Sequence, residues 1–458
     1  MKKTIFTIVI LMVSVLAFPQ DSIPNIISSY TSVTNTFTYD VIVDASNQVN
    51  KPRDLDFHPN GDLWIINTGT ENSGGSTVKV TEPGMTGQSS LKQQDGNAWH
   101  FMSLPSGIAF SDNGNFATST SVLDANHGQN GPTGRFTGPT LWSSDPLIYA
   151  QYAGPGTNGS HLDMLHASPY CMGIASESAN IFWVYDDYSN DIVRYDFAQD
   201  HGPGNDDHDD GRIRRFPDMG LSSINDGDTV SDGNNSVNLE FVNHLVLDAD
   251  KKWLYFVDAG NRRILRLDIT TGTTNGTPSF PQQEQLAEYQ KMIGFVWEEV
   301  VTTGLVQPAG IDIIDDRLVV TDYSNGDIIF YDVNTIPATE IGRIQTNEPG
   351  IMGTVIGPNG RIWYANATEN EIVKIEPSTI ISAIEGNQLV LSGNRIYPNP
   401  VLNTLHFTST ANFVEIFDLN GKLILSANNN TNAIDVSMFD QGVYVIKVDG
   451  VKSKFIKY

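Results

Sequence analysis

Residues 243–268 read NHLVLDADKKWLYFVDAGNRRILRLD, and the rest of the chain repeats the pattern of this stretch. Three short runs, Val246–Asp248, Leu254–Val257 and Ile264–Leu267, are separated by polar turns and predict a three-stranded meander. Such a meander has one apolar face that it cannot bury alone. Several copies must therefore stack side by side, in a ring or in a solenoid.

Six copies of the pattern align on their turn residues and on an aromatic or aliphatic second strand. Each copy has an apolar strand, a turn such as Pro-Asn-Gly, and a second strand that ends on a polar residue predicted to hydrogen-bond the next turn. The copies are Pro52–Asn67, Pro105–Thr120, Cys171–Asp186, Asn243–Asp258, Pro308–Asp322 and Ile351–Asn366.

These repeats resemble the NHL-type units of six-bladed β-propellers, in the motif P-x-G-I-A followed by L-Y-V-x-D. The resemblance covers about Asp40–Glu376 and implies an all-β, six-bladed propeller whose first strands line a central channel. The strand Phe37–Val43 is predicted to close the ring by pairing into the last blade, since an open edge would invite aggregation. In four copies the first strand carries a glycine that would let neighbouring backbones approach closely: Gly107, Gly173, Gly310 and Gly353.

Composition narrows the partners of the protein. A chain of 458 residues exceeds one ordinary core, which favours several domains or one large closed β architecture. With 27 Lys and Arg against 53 Asp and Glu, the formal charge of -26 argues against nucleic acid or an anionic membrane as a partner. Cations and neutral or basic ligands are favoured. The single cysteine, Cys171, excludes an intramolecular disulfide.

The N-terminus predicts export. Lys2 and Lys3 precede an apolar run, Ile5–Leu16, and Ala17 offers a small residue for a signal peptidase. We interpret residues 1–20 as a signal peptide. The alternative is a membrane anchor, but the run is shorter than the roughly 20 residues that a spanning helix needs. No later segment is apolar enough to span a bilayer, so the mature chain is predicted to have no transmembrane segment.

The C-terminal part of the chain has a different character. After the propeller region, residues 21–380, a linker is predicted over residues 381–395 and a small β-sandwich over residues 396–458. An Asn-Gly pair at 420–421 between alternating strands indicates a hairpin, and alternate residues around Ile446 fall on one face.

Three motifs of this tail resemble the type A C-terminal sorting domain of the type IX secretion system. They are Y-P-N-P at 397–400, D-x-x-G-K at 418–422 and G-x-Y-x-x-K at 442–447, and a basic end follows. The resemblance implies recognition by the type IX secretion machinery, export through the periplasm across the outer membrane, and release or attachment at the cell surface. The alternative is an ordinary accessory sandwich.

Long inserts follow the second, third and fourth copies, and loops of that length often carry function. They span residues 121–170, 198–242 and 270–307. The third contains Gln282–Gln290, which is predicted to be a short helix with Glu284 and Glu288 on one face.

Most of the histidines lie in or beside these inserts, and two segments, GSHLDMLHASPYC and HGPGNDDHDDG, are candidates for a metal site. A divalent cation, calcium or zinc, would use their imidazole nitrogens and carboxylate oxygens. The alternative is a solvated acidic loop whose histidines hydrogen-bond the backbone. The candidate ligands are His161, His166, His201, His208, Asp206 and Asp207.

A second candidate site lies at the start of the first strands, where a propeller channel opens. Four residues at these positions are predicted to bind a ligand at the channel mouth: Arg53, Ser106, Met172 and His244. Arg53 and His244 belong to opposite copies and could meet over a ligand or a bridging anion. The alternative is that His244 is satisfied within the wall. We also expect His161 and His166 to converge with His244 near one mouth.

Function is predicted by class only. The sequence contains no G-x-S-x-G elbow, no H-E-x-x-H motif and no phosphate-binding glycine loop. The first hypothesis is a secreted or cell-surface binding module for a ligand or a protein. The alternative is a metal-dependent extracellular hydrolase or lyase with its site at the channel mouth.

Overall fold

The computed structural model describes most of the chain, in two compact units, Met1–Thr379 and Ile380–Tyr458. The predicted signal peptide, Asp206, most of the predicted linker and the Asn-Gly pair at 420–421 lie outside the described residues. The described ranges are 26–128, 134–151, 158–205, 207–222, 243–381, 396–397, 401–418, 422–427, 431–448 and 451–457.

The first unit is almost entirely β-structure. Its helical segments are short: α1 (Ile27–Thr31), α2 (Ala98–Phe101) and the 3₁₀ turns Ala45–Asn47 and Pro358–Gly360. Its strands are β1 (Phe37–Val43), β2 (Pro52–Phe57), β3 (Leu63–Thr70), β4 (Gly74–Thr81), β5 (Ser89–Gln93), β6 (Pro105–Phe110), β7 (Phe116–Thr120), β8 (Thr140–Trp142), β9 (His161–Met164), β10 (Cys171–Ser178), β11 (Ile181–Asp186), β12 (Asp191–Asp196), β13 (Arg212–Phe216), β14 (Leu245–Leu247), β15 (Trp253–Asp258), β16 (Arg263–Asp268), β17 (Thr273–Thr274), β18 (Glu288–Ile293), β19 (Trp297–Val301), β20 (Pro308–Ile314), β21 (Arg317–Asp322), β22 (Asp327–Asp332), β23 (Thr339–Gln345), β24 (Ile351–Ile356), β25 (Ile362–Asn366) and β26 (Glu371–Pro377).

Within the described residues these strands form six sheets. The sheet orders are β2-β3-β4-β5, β6-β7-β8-β9, β10-β11-β12-β13 extended by β18 and β17, β14-β15-β16-β19, β20-β21-β22-β23, and β24-β25-β26-β1. In every copy of the repeat the two predicted strands pair antiparallel, as expected. The first strands contact one another in the cyclic order β2, β6, β10, β14, β20, β24 and back to β2. The unit is therefore an all-β, propeller-like fold.

The apolar face of each sheet is buried against the next sheet. One core cluster combines Trp183 of β11 with Phe256 of β15 and Leu265 of β16. Another combines Ile65 of β3 with Trp363 of β25. The core therefore lies between successive sheets, which is where the repeat pattern predicted that the apolar faces would be covered.

A glycine in the first strand permits the close approach of neighbouring sheets. A Cβ atom on Gly173 would lie 2.3 Å from the carbonyl oxygen of Asn243, and one on Gly310 would lie 2.3 Å from that of Met352. Gly173 also has a φ of 63°, which side chains disfavour. The predicted crowding of backbone at these glycines is confirmed.

The last sheet joins the two ends of the unit. Strand β1 pairs antiparallel with β26, with Tyr39 opposite Ile375. The fourth strand of this sheet therefore comes from the N-terminal side of the chain, as predicted for Phe37–Val43. An edge that would otherwise be open is covered.

In the third and sixth copies the polar residue that ends the second strand binds the next turn, as predicted. The Oδ1 atom of Asp186 accepts hydrogen bonds from the backbone N–H groups of Tyr188 and Ser189, each at 3.0 Å. Asn366 accepts the N–H of Thr368 in the same way, at 3.0 Å. These side chains fix the turn that leads to the third strand.

The helix predicted over Gln282–Gln290 is wrong. The chain is irregular as far as Ala287, and β18 then begins at Glu288 and pairs parallel with β13. Two like charges four residues apart, Glu284 and Glu288, slightly destabilise a helix. Tertiary partners therefore decided the conformation of this segment.

The second unit contains two sheets in its described part, β27-β28-β31 and β30-β29-β32-β33. Its strands are β27 (Ile396–Tyr397), β28 (Thr404–Ala411), β29 (Val414–Phe417), β30 (Leu423–Ala427), β31 (Thr431–Asp435), β32 (Gly442–Val448) and β33 (Val451–Lys457). One apolar cluster joins both sheets, with Leu405 and Ile434 from the first and Ile416 and Ile446 from the second. In the described residues of the whole chain, no helix has the length and hydropathy to cross a membrane.

Candidate functional site

The largest concentration of imidazoles surrounds a cavity of about 420 Å³. Its wall is built by α2, by Asn126 and Phe136 between β7 and β8, by β9 and the residues on either side of it, and by the loops that precede β13 and β18. Strand β9 is the edge strand of its sheet, at the opposite end of the strand order from the first strand β6. Four histidines line the cavity: His100, His161, His166 and His208. We call it the histidine cavity.

Two phenylalanines hold two of these rings in place. Phe101 stacks on His161 and Phe136 stacks on His166, each with ring centroids 3.6 Å apart. Both imidazoles are buried. The stacked phenyl rings leave only the edges of the imidazoles for polar contacts, which fixes the directions in which their nitrogens can bind.

Burial keeps two histidines of the cavity, His100 and His161, neutral near pH 7. It lowers the pKa of His100 to about 4 and the pKa of His161 to about 3. The Nδ1 atoms lie 3.0 Å from the carbonyl oxygen of Ala125 for His100 and 2.9 Å from that of Asn158 for His161. Since a carbonyl oxygen only accepts, Nδ1 carries the proton in both rings and Nε2 presents a lone pair.

Glu284 joins two further histidines. Its Oε2 atom lies 2.9 Å from Nδ1 of His166 and 2.5 Å from Nδ1 of His208, and its Oε1 atom accepts the backbone N–H of His166 at 2.7 Å. Ligand atoms of these three residues all lie within 4.8 Å of one another. Burial alone would raise the pKa of Glu284, but the two imidazoles hold it well below its usual range. Burial lowers the pKa of His166. Glu284 is thus a carboxylate between imidazoles, an arrangement that could hold a metal ion.

Asp163 stands behind this cluster. Its Oδ1 atom lies 3.7 Å from Nε2 of His208, and its side chain is 0% exposed. Neither of its carboxyl oxygens has a hydrogen-bond partner among the residues that the structure describes, and the same holds for Nε2 of His166. Burial raises the pKa of Asp163 to about 7.

The predicted metal ligands are only partly brought together. His161, His166 and His208 share the histidine cavity. His201 does not line it, and its Nε2 atom lies 3.0 Å from Asp210. Asp207 is exposed and also does not line the cavity. Asp206 lies outside the described residues.

Sequence reasoning missed three residues of the cluster and its surroundings, His100, Asp163 and Glu284. For Asp163 a signal was present in HLDMLH, where the aspartate lies two residues after one histidine and three before the next. For Glu284 the sequence offered no comparable signal, because its partner His166 is 118 residues away.

The predicted channel-mouth residues are all buried in the wall of the ring. Nε2 of His244 lies 2.9 Å from the carbonyl oxygen of Ser106, whose Oγ atom donates to the carbonyl oxygen of Cys171 at 2.9 Å. Burial, and then the charge of Arg53, lower the pKa of His244 to about 4. The sulfur of Met172 accepts a hydrogen bond from the hydroxyl of Ser121. The bond from Ser106 to Cys171 joins the neighbouring first strands β6 and β10, and the contact of His244 with Ser106 joins the fourth copy to the second.

The expected convergence of His244 with His161 and His166 is therefore wrong. His244 lines a separate cavity, inside the ring of first strands, while the other two line the histidine cavity. The physical reason is that β9 and β14 occupy different positions in their sheets: one is an edge strand and the other is a first strand. Whether the channel-mouth residues bind a ligand stays a prediction.

The channel itself contains three carboxyl groups that the sequence analysis did not single out. A cavity of about 140 Å³ is lined by first-strand residues of all six sheets, and Asp54, Asp56 and Asp312 project into it. Asp54 accepts the backbone N–H of Ile108 at 3.0 Å, which ties β2 to β6. Burial raises the pKa of each of the three carboxyls to about 7.

We expect these carboxyls to weaken the fold as the pH rises. A folded-state pKa of about 7 for Asp312 lies above the unfolded value of about 3.9, so the fold favours the protonated form. The resulting stabilisation is complete below about pH 4 and is lost as the pH rises through 7. Asp312→Asn cannot ionise. The difference in free energy of unfolding between Asp312→Asn and wild type should therefore shift in favour of the variant by about 2–4 kcal/mol when the pH is raised from 4.5 to 8.5.

The measurement is urea denaturation at both pH values. Asp250→Asn, at an exposed turn, is the matched control and should show no such change. An equal pH response of Asp312→Asn and wild type would contradict the prediction.

Comparison with known families identifies the tail of the chain. Residues 395–458 match the family described as the secretion system C-terminal sorting domain. The chain carries a type IX secretion sorting domain. This domain implies recognition by the type IX machinery and export to the cell surface or into the medium. No curated protein matches the chain.

Solved structures similar to this chain have low identity to it. A streptogramin B lyase is 14% identical, with 75% of this chain and 98% of that chain covered and a TM-score of 0.41. A luciferin-regenerating enzyme is 11% identical, with coverage of 78% and 100% and a TM-score of 0.46. An auxiliary nutrient binding protein from Bacteroides ovatus is 10% identical, with coverage of 75% and 78% and a TM-score of 0.43. None of the three transfers an activity to this chain.

Proposed function

We propose that residues 21–380 form a six-bladed β-propeller of the NHL type. Each of the six sheets is one blade, the third is extended by β18 and β17, and β1 closes the last. The cyclic order of the first strands supports this assignment. A signal peptide precedes the propeller at residues 1–20. A linker at 381–395 leads to a sorting β-sandwich at 396–458. The apolar cluster shared by the two sheets of the tail supports the sandwich assignment.

The exported propeller binds a small ligand in the histidine cavity. The observation that carries this proposal is the cavity itself, whose volume of about 420 Å³ falls in the range of small-molecule sites, about 300–1,000 Å³. Its lining combines the neutral imidazoles of His100 and His161 with the rings of Phe101 and Phe136. Lone pairs on the imidazoles and the carboxylate of Glu284 suit a neutral or cationic ligand that carries N–H or O–H donors.

Obstructing the cavity without disturbing its wall should abolish binding. Gln285 is exposed and lines the cavity, whereas Gln282 is exposed on the same segment and does not. In a thermal-shift screen of sugars, polyols and small amines, compounds that raise the Tm of the wild type should lose this effect in Gln285→Trp. They should keep it in the matched control Gln282→Trp.

Either of two results would refute the cavity as the ligand site. One is an equal thermal shift in Gln285→Trp and wild type. The other is a loss of the shift in both tryptophan variants, which would indicate an effect of the segment and not of the cavity.

A second candidate function is a metal-dependent extracellular hydrolase or lyase. The observation that favours it is the grouping of His166, His208 and Glu284, since catalytic zinc sites use three protein ligands and an open position. The site would then lie at the edge strand β9 and not at the channel mouth. A turnover that requires metal and is lost in Glu284→Gln would favour the enzyme over the binding module.

Removal of the sorting domain should stop export. A chain that lacks Ile396–Tyr458 should accumulate in the periplasm with a folded first unit, because β1 closes the ring and, among the described residues, no strand of the tail joins its sheets. Cell fractionation and a thermal melt of the periplasmic form measure this. As a control, residues 381–458 fused to an inert periplasmic carrier should direct that carrier out of the cell. Normal secretion of the truncated chain would contradict the assignment.

A further inference from the structure

Two buried or nearly buried acidic side chains lie at the histidine cavity: Glu284 lines it, and Asp163 lies behind the cluster, near His208. Asp163 and Glu284 are 0% and 11% exposed. In the described part of the chain, the only basic side chains within ion-pair distance of either carboxyl are the imidazoles of His166 and His208. Burying carboxylates without a compensating cation is costly. A divalent cation would offset both charges.

The arrangement of atoms suits such an ion. The Nδ1 atoms of His166 and His208 converge on the Oε2 atom of Glu284, at 2.9 and 2.5 Å. Ligand atoms around a tetrahedral zinc with bonds of about 2.1 Å are about 3.4 Å apart, so each of these nitrogens need move less than about 1 Å away from Oε2 to admit the ion. Phe136 already holds the ring of His166 in position, stacked at 3.6 Å.

We propose that His166, His208 and Glu284 bind a divalent metal ion of the zinc class, and that Asp163 is a positioning residue for His208. Imidazole nitrogen favours zinc and its neighbours among transition metals, whereas calcium prefers a shell of oxygen ligands. A carboxylate near the second nitrogen of a metal-binding histidine fixes the orientation of its ring, and Asp163 lies 3.7 Å from that nitrogen of His208.

The metal also defines the class of ligand. Three protein groups leave a fourth coordination position, and all three groups line the histidine cavity, so this position opens into it. The ligand should therefore carry an oxygen donor, such as a carboxylate or a hydroxyl, that coordinates the ion. This part of the inference rests on the proposed function, whereas binding of the metal does not.

The test is metal binding by the purified protein, produced without a polyhistidine tag and stripped with a chelator. Titration with zinc chloride should show one tight site per chain, and cobalt(II) should give the visible spectrum of a tetrahedral site. Glu284→Gln, His166→Asn and His208→Asn should each weaken zinc binding by about 100-fold or more. Asp163→Asn should weaken it by about 10–100-fold and retain the tetrahedral spectrum at saturating cobalt(II).

His201→Asn is the matched control, because it removes an imidazole from the same insert as His208 but not from the cavity, and it should bind zinc normally. Circular dichroism of each metal-free variant checks its fold. His208→Asn changes a partly exposed position, so it tests the metal site even if a substitution at a more buried ligand disturbs the fold. Absence of a stoichiometric zinc site, or binding that survives in both Glu284→Gln and His208→Asn, would overturn the proposal. Zinc binding without any thermal shift from the screened compounds would leave the metal site standing and refute the ligand site.

Discussion

A chain that begins at Asp44 is expected to unfold at a much lower temperature than one that begins at Ile26. The shorter chain lacks α1 and β1, and the edge of β26 is then open. Ile27, Tyr30 and Val43 are each at most 2% exposed. At about 1.5–3 kcal/mol for each buried apolar side chain, together with the loss of strand pairing, the free energy of unfolding should fall by on the order of 5 kcal/mol or more.

Tyr30 offers a finer test of the same closure. Its hydroxyl donates to the carbonyl oxygen of Ile375 at 2.8 Å and accepts the N–H of Ile362 at 3.1 Å, so it bridges β25 and β26. Tyr30→Phe keeps the ring and leaves both backbone groups without this partner, which should cost about 1–3 kcal/mol. Equal melting temperatures for the chains that begin at Asp44 and Ile26 would show that β1 does not fasten the ring.

Replacement of Arg215 is expected to lower the free energy of unfolding more than any other single substitution in β13, the fourth strand of the third sheet. The side chain is 1% exposed, and its guanidinium binds Asp186 and, at 2.8 Å, Asp191. Burial alone would lower the pKa of Arg215, but these carboxylates hold it well above its usual range. Arg215→Met would leave two buried carboxylates unpaired and should cost about 3–5 kcal/mol.

The neighbouring Arg214 provides a matched control. It also pairs with an acidic residue, Glu288, but its side chain is 39% exposed. Because solvent screens such a pair, Arg214→Met should cost about 0–1 kcal/mol. Urea denaturation of both variants measures the difference. The triple variant Arg215→Met, Asp186→Asn, Asp191→Asn should recover part of the lost free energy of unfolding, because it removes the uncompensated charges. If Arg215→Met costs as little as Arg214→Met, this account is contradicted.

The repeat could be predicted from sequence because the information lies within about 16 residues. Alternation of apolar residues and a turn such as the one at Asn60-Gly61 specify two paired strands wherever they occur, and β2 and β3 pair accordingly. The closing strand β1 was predictable for a related reason. It has strand composition, it precedes the first copy, and a ring cannot leave an edge unpaired.

The candidate site was predictable only in part. His161 and His166 are five residues apart in sequence, and both line the same cavity. His201 lies on the same insert as His208 but does not line the cavity, and it pairs with Asp210 instead. In an irregular loop no periodicity tells which side chain points inward. The choice between two nearby histidines is made by packing.

The sequence by itself determined the all-β character, the number and positions of the repeats, the closing strand and the sorting tail, because each is encoded by local alternation, turn residues or short motifs. Only the tertiary structure decided which groups share a cavity. Glu284 reaches His166 across 118 residues and His208 across 76. The physical reason is that the stacking of sheets fixes where the ends of a long insert lie, whereas burial and pairing of charge decide where its side chains settle.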